Sequence, residues 1–149
     1  MTEVDPRFPE GPDGPSVYEL AGGTDAFVAL VDAFYERVEA DPLLRPMYPD
    51  DLEPGKRALA LFLAQYWGGP RTYDEERGHP MLRRRHLPFP ITPTAALHWA
   101  HHMADAVRAM RFHSHVEDAL LGYVGRFTPA MVNTADEPPP EHLLPRSDG

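Results

Sequence analysis

The residues best suited to chemistry fall between Gln65 and Thr92, in the run QYWGGPRTYDEERGHPMLRRRHLPFPIT. His86 ends a short proline-bounded segment, directly after Arg83, Arg84 and Arg85 and just before Leu-Pro-Phe-Pro. A neutral imidazole at the end of a short helix can be aimed at a metal, and adjacent guanidinium groups can hold an anionic cofactor rim. Haem needs one axial nitrogen and partners for its propionates, so it is one chemistry that fits. A plainer reading stands beside it: a histidine and an arginine at a helix end complement the negative pole of the helix dipole.

Three aromatics form a second candidate set. Tyr35, Tyr48 and Trp99 each combine a large apolar body with one polar tip, and a buried tip needs a partner. Taken singly, each reads as a core aromatic satisfied by a backbone carbonyl. Converging on one pocket, they would make a hydrogen-bond cage for a small polar ligand. A competing metal site is His98-x-x-His101-His102. His98 and His102 are four residues apart on one helical face and can bind zinc, with Asp105 as a third ligand. No HExxH-type base accompanies them, and the face opposite Trp99 and Met103 reads as solvated instead. His98, His101 and His102 are therefore expected outside any haem site, and His113 and His115 at the surface. The acids Asp74, Glu75 and Glu76 read as a solvated loop. There is no glycine-rich phosphate loop and no GxSxG, and the absence of cysteine excludes disulfides, thiolate ligands and cysteine nucleophiles.

The elements that must carry these residues read as helices cut into short pieces. Ser16 is placed to cap a brief helix, Val17–Ala21, and Thr24 to cap the next, which runs to about Ala40. Its apolar set Phe27, Leu30, Val31, Phe34, Tyr35 and Val38 follows the i, i+3, i+4, i+7 pattern of one buried face. Pro42 opens a short turn ended by Pro46 and Pro49. A third helix begins near Pro54-Gly55, carries Leu59, Phe62, Leu63 and Tyr66, and stops at Gly68-Gly69-Pro70. Residues 70–79 read as an extended loop, and Pro80 suits the first turn of the helix that ends at His86. Thr92-Pro93 is a cap followed by a first-position proline, opening a helix with Trp99, Met103, Val107 and Met110 on one stripe. Ser114-x-x-Glu117 is a capping-box pattern opening the last helix, where Val116, Leu120, Val124, Phe127 and Met131 point inward and Pro129 should kink the final turn. No segment alternates with period two, so the class is all-α.

At 149 residues the chain suits one domain with a real core. The stretches 1–16 and 135–149 are rich in Pro, Gly, Asp and Glu and read as disordered tails around a domain spanning 17–134. The net charge of −9 is carried largely by those ends, each with four acids against one arginine. No basic stripe suggests nucleic acid. The acidic first residues do not resemble a signal peptide, and no apolar run is long enough to span a membrane, so a cytoplasmic location is expected.

Taken together, the segments FYERV (Phe34–Val38), DPLLRPMYPDDL (Asp41–Leu52), FLAQYWGGPRTY (Phe62–Tyr73), GHPMLRRRHLPFPIT (Gly78–Thr92), Trp99 and MVN (Met131–Asn133) resemble the group II truncated haemoglobins. These are small globins with a two-over-two helical sandwich around haem b. The resemblance runs from Val17 to Asn133. It implies that His86 is the proximal iron ligand and that Tyr35, Tyr48 and Trp99 are the distal groups that hydrogen-bond ligand. It also implies that Phe34, Leu59, Phe62, Leu63 and Trp99 face the haem, that Met81, Phe89 and Ile91 wall the proximal side, and that Arg85 and Tyr73 meet the propionates. Gly55 stands where many globins place a distal histidine or glutamine, so distal polarity must come from elsewhere, and an opening from solvent is expected there.

The function implied is binding of O₂, CO, nitric oxide or peroxide. Each donated hydrogen bond is worth about 0.5–1.5 kcal/mol, up to about 3 to a charged group. Two together would slow release roughly a hundredfold. A protein that holds O₂ so tightly suits redox chemistry, such as nitric oxide dioxygenation or peroxidase-like turnover fed by an electron donor, better than delivery. The alternatives are a binding or sensing module without turnover and a haem-free helical interaction protein.

Overall fold

The computed structural model describes residues 5–77 and 91–133. Six α-helices lie among them: α1 (Val17–Ala21), α2 (Thr24–Glu39), α3 (Glu53–Tyr66), α4 (Thr72–Arg77), α5 (Pro93–Ala109) and α6 (Ser114–Met131), with a 3-10 turn at Arg45–Met47. Helix α2 packs on α3 and α5 packs on α6, and α2 joins the two pairs by crossing α5. This is the two-over-two all-α sandwich that the sequence implies.

The pairing follows from where the apolar residues fall. On α2 the buried side chains are Phe27, Leu30, Val31, Phe34, Tyr35 and Val38, the stripe read from the sequence. On α5 they include Trp99, Met103 and Val107, and on α6 Val116, Leu120, Tyr123, Val124 and Met131. Stripes of this width bury against a partner helix while the remaining faces stay polar.

Side-chain caps open α1, α5 and α6. Ser16 accepts from the Glu19 N–H at 3.2 Å, and Thr92 accepts from Ala95 N–H at 3.0 Å. Two expected caps differ. Thr24 lies inside α2, where its hydroxyl meets that of Tyr18 at 2.7 Å, and Gly23 takes the cap position. Ser114 is the first residue of α6, and His113 caps instead, its Nδ1 accepting from the His115 N–H at 3.2 Å. Pro129 lies within α6, where the neighbouring Thr128 hydroxyl donates to the Val124 carbonyl.

Two segments expected to be irregular are built. Residues 5–16, expected in a disordered tail, form consecutive turns that end with the Val17 N–H donating to the Arg7 carbonyl at 2.8 Å, and Ser16 is buried. The acidic run at 74–76 belongs to helix α4 rather than a loop. Gln65 Oε1 receives the Asp74 N–H at 3.1 Å, Arg57 pairs with Glu76 at 2.8 Å, and Arg71 pairs with Asp74. Carboxylates in a first turn also suit the positive pole of the helix. Gly68 and Gly69 then let α1 close onto the end of α3. A Cβ at Gly68 would lie 2.5 Å from that of Ser16, and one at Gly69 would lie 2.5 Å from the Tyr18 ring.

Candidate haem cavity and a second cluster

A cavity of about 210 Å³ lies between the helix pairs. Helix α2 contributes Phe34 and Tyr35, α3 contributes Leu59, Phe62 and Leu63, and α5 contributes Trp99 and Met103. Tyr48 reaches it from the chain just after the 3-10 turn, and Tyr73 from α4, where its ring meets Phe62 edge-on at 5.4 Å. An amphipathic helix presents its stripe inward because the cost of leaving those side chains in water is about 25 cal/mol per Å². The cavity walls are thus made from the residues that would otherwise fill a core.

The polar tips are the unusual part. Tyr35 and Tyr48 pack ring against ring at 5.6 Å, and Phe34 bridges Tyr35 to Trp99 with centroid distances of 5.4 and 5.6 Å. Among the described residues, neither hydroxyl nor the Trp99 indole N–H has a hydrogen-bond partner. Burial pushes the Tyr35 hydroxyl up to about 12, and burial, together with the nearby Tyr35, pushes Tyr48 higher still. Both are therefore neutral O–H donors at any ordinary pH. None of the three tips is fully sealed, so their hydrogen-bonding capacity is open to whatever occupies the cavity. Three around one cavity make sense when their acceptor is the molecule the cavity holds.

Gly55 sits at the same end. A Cβ there would come 2.9 Å from the Tyr35 hydroxyl oxygen. The expected solvent opening is thus occupied by the tyrosine tip, and the missing side chain is what lets that tip in.

Of the other residues singled out by sequence, Ile91 is buried but does not line the cavity. Its backbone N–H donates to Asn133 Oδ1 at 2.7 Å, and its carbonyl accepts from the Asn133 N–H at 3.0 Å, tying the start of α5 to the end of α6. Met81, Arg85, His86 and Phe89 lie outside the described residues. Trp67 and Tyr123 line the cavity without having been singled out. Their rings meet at 5.7 Å, and Trp67 Nε1 is buried with no partner among the described residues. Trp67 sits at a helix end beside Gly68-Gly69, where the sequence carries a stop signal rather than the mark of a wall. Tyr123 was hidden because the expected α6 stripe was assigned to its neighbours.

The residues present fit a planar apolar cofactor that has polar chemistry on one face: aromatic and aliphatic walls, donors without acceptors at one end, and Tyr73 beside Phe62.

A second cluster lies on a different face of α5. His98 Nδ1 and His102 Nε2 meet one oxygen of the buried Asp41 at 2.8 and 2.7 Å. Asp105, expected as a third ligand, instead pairs with His101 at 3.2 Å and Arg108 at 3.4 Å. Burial alone would raise the Asp41 carboxyl, but hydrogen bonds from His102, His98 and the Leu43 and Leu44 N–H groups outweigh it and hold the group well below the usual carboxylate range. The groove at this cluster shares no lining residue with the cavity. These histidines therefore do not reach into the cavity.

Known proteins share this fold. A family model for bacterial-like globins matches residues 16–133. The group 2 truncated hemoglobin YjbI of Bacillus subtilis is 45% identical over 114 residues, covering 76% of this chain and 86% of that protein. Among solved structures, the hemoglobin of the thermophilic phototroph Chloroflexus aurantiacus superimposes with a TM-score of 0.78 at 49% identity, over 80% of this chain and 98% of that one. The truncated oxygen-avid haemoglobin of Bacillus subtilis gives 0.74 at 45% identity, over 78% and 98%. With its two helix pairs stacked about an apolar cavity and a match through nearly all of its described residues, the chain belongs to the bacterial-like globins, as a truncated haemoglobin.

Proposed function

We propose that this chain binds haem b in the cavity, holds O₂ and related diatomic ligands there with slow release, and supports redox chemistry on oxygen such as nitric oxide dioxygenation or peroxidase-like turnover. The observation that carries this reading is the set of three donors, Tyr35, Tyr48 and Trp99, at one end of an apolar cavity and without protein acceptors among the described residues. Haem would supply an iron with an open coordination position and access to two oxidation states. His86 would give the nitrogen that holds the iron, with Arg85 and Tyr73 at the propionates. Phe34, Leu59, Phe62 and Leu63 would cover the ring faces and exclude water.

What the chain itself contributes is the polarity of the ligand's surroundings. Trp99 can only donate, so it favours ligands that gain negative charge, whereas each tyrosine hydroxyl can also turn and accept. In a pocket of low dielectric, two such donations at about 1–1.5 kcal/mol each slow ligand loss by roughly a hundredfold. The oxygen-avid relative fits that retention. A slow off-rate defeats delivery and gives time for a second reactant to meet bound oxygen.

The test is to purify the protein with haem, reduce and oxygenate it, and mix it with nitric oxide in a stopped-flow cell. Nitrate at about one per chain is expected, with oxidation of the iron to the ferric state. Simple displacement of O₂, with no nitrate, would leave a binding module and remove the turnover.

A further inference from the structure

Asp41 follows Ala40, the C-cap of α2, and opens the turn that leads to Tyr48. Its Oδ1 accepts from the backbone N–H groups of Leu43 at 2.8 Å and Leu44 at 3.3 Å, so the carboxylate is fixed from behind. Its Oδ2 faces His98 Nδ1 and His102 Nε2, and the three atoms all lie within 4.8 Å of one another. We propose that Asp41, His98 and His102 form a binding site for a divalent transition cation of the zinc class, separate from the haem cavity.

Three features of the geometry carry this. The donor set is two imidazole nitrogens and one carboxylate oxygen, the set that three-ligand zinc sites use with a fourth position open. The two histidines sit four apart on α5, so one helix face presents both rings without backbone adjustment. The carboxylate is oriented by groups behind it, the arrangement that fixes a metal ligand in place. Oxygen and nitrogen stand 2.7–2.8 Å apart here. Ligands at about 2.0–2.1 Å from a tetrahedral ion stand roughly 3.3 Å apart, so the two rings need to withdraw only slightly.

Access and charge also suit an ion. Asp41 is buried, His102 is half-buried and His98 is 42% exposed at its side chain, so the cluster opens on one side to a solvent groove. The fourth position would carry water. Arg37 lines the same groove, but its guanidinium is turned along α2 to the Ala33 carbonyl at 2.9 Å. Binding replaces two ring N–H···O contacts with two N–metal bonds and one O–metal bond. Each neutral ring shifts its hydrogen to the outer nitrogen through solvent, so it releases no proton on binding. A ring that starts protonated releases one.

The experiment is calorimetric titration of the haem-loaded protein with zinc ion alone, in a buffer that does not chelate. One zinc per chain is expected, with affinity lowered more than about a hundredfold in His98→Gln/His102→Gln, since even losing a group behind a metal ligand costs about 10–100-fold. His101→Gln, whose ring pairs with Asp105, should change the affinity less than about threefold, and the Soret band should stay in place throughout. Zinc-edge X-ray absorption of the unsubstituted protein with one equivalent of zinc needs no variant and should show two imidazoles in the first shell. Binding no tighter in the parent than in the double variant, or a first shell without two imidazoles, would overturn the site and leave Asp41 as a hydrogen-bonded tie.

Discussion

Two faces of α5 treat polar groups in opposite ways. On the cavity face, Trp99 carries an indole N–H with no acceptor among the described residues, beside apolar Met103 and Val107. On the other, His98 and His102 share one carboxylate oxygen, and His101 meets Asp105. Both faces carry polar groups, yet those of one are internally satisfied and that of the other is not. Unmet hydrogen-bonding capacity suits a polar small molecule, whereas nitrogen and oxygen atoms gathered at one point suit a cation.

The contrast breaks most visibly at the proximal side. His86→Ala is expected to abolish tight haem retention, with binding restored by added imidazole, as read by the Soret band after gel filtration. Full occupancy with an unchanged ferrous spectrum would remove His86 as ligand. Next comes the ionisation of the buried hydroxyls. Tyr35 is held up to about 12, and Tyr48 and Tyr123 are raised by burial. Because these folded values lie above the unfolded value of about 10, their neutral burial contributes fully below about pH 10 and is lost as pH rises through about 12. An alkaline titration at about 295 nm, where tyrosinate absorbs, should show at least three of the six tyrosines ionising only with unfolding. Early ionisation of all six would mean the cavity end is wet.

Smaller effects sharpen the same contrast. Gly55→Ala places a methyl 2.9 Å from the Tyr35 oxygen, so the hydroxyl must move. O₂ release should speed up about three- to tenfold, a fraction of one hydrogen bond. Thermal stability should hold or rise, since alanine is the better helix residue. An unchanged off-rate would separate Tyr35 from the ligand. The smallest effect on O₂ belongs to the other face. His98→Gln/His102→Gln should leave O₂ dissociation within about twofold while costing about 3 kcal/mol or more of stability in a urea melt, from two lost hydrogen bonds to the buried Asp41 carboxylate. A large shift of the Soret band in that variant would mean the two faces of α5 communicate through the haem.

Much of this arrangement can be read from the sequence because helical stripes have a period that burial enforces. The α2 set and the Trp99, Met103, Val107 row both lie buried where that period puts them. What escaped was set by tertiary contact. Helix α4 is too short for a stripe, and it is held by Gln65 and Arg57 of α3. Asp41 lies 57 residues from His98, and no spacing rule links an acid in a turn to a pair on a later helix. Residues 5–16 looked too polar to order, and backbone hydrogen bonds within the turns and onto Val17 order them. Trp67 lies next to a glycine pair that advertises a stop, which conceals its place in the cavity wall.

Whether the cavity donors are aimed at ligand is decided by Trp99→Phe, which keeps most of the apolar volume and deletes one N–H. Stopped-flow displacement from the ferrous protein should show O₂ leaving about ten- to a hundredfold faster, from about 1.4–3 kcal/mol of lost stabilisation. CO affinity should change much less, because CO gains little charge at its outer atom. O₂ leaving the variant at the parental rate would contradict a ligand-directed donor and make the indole a packing residue.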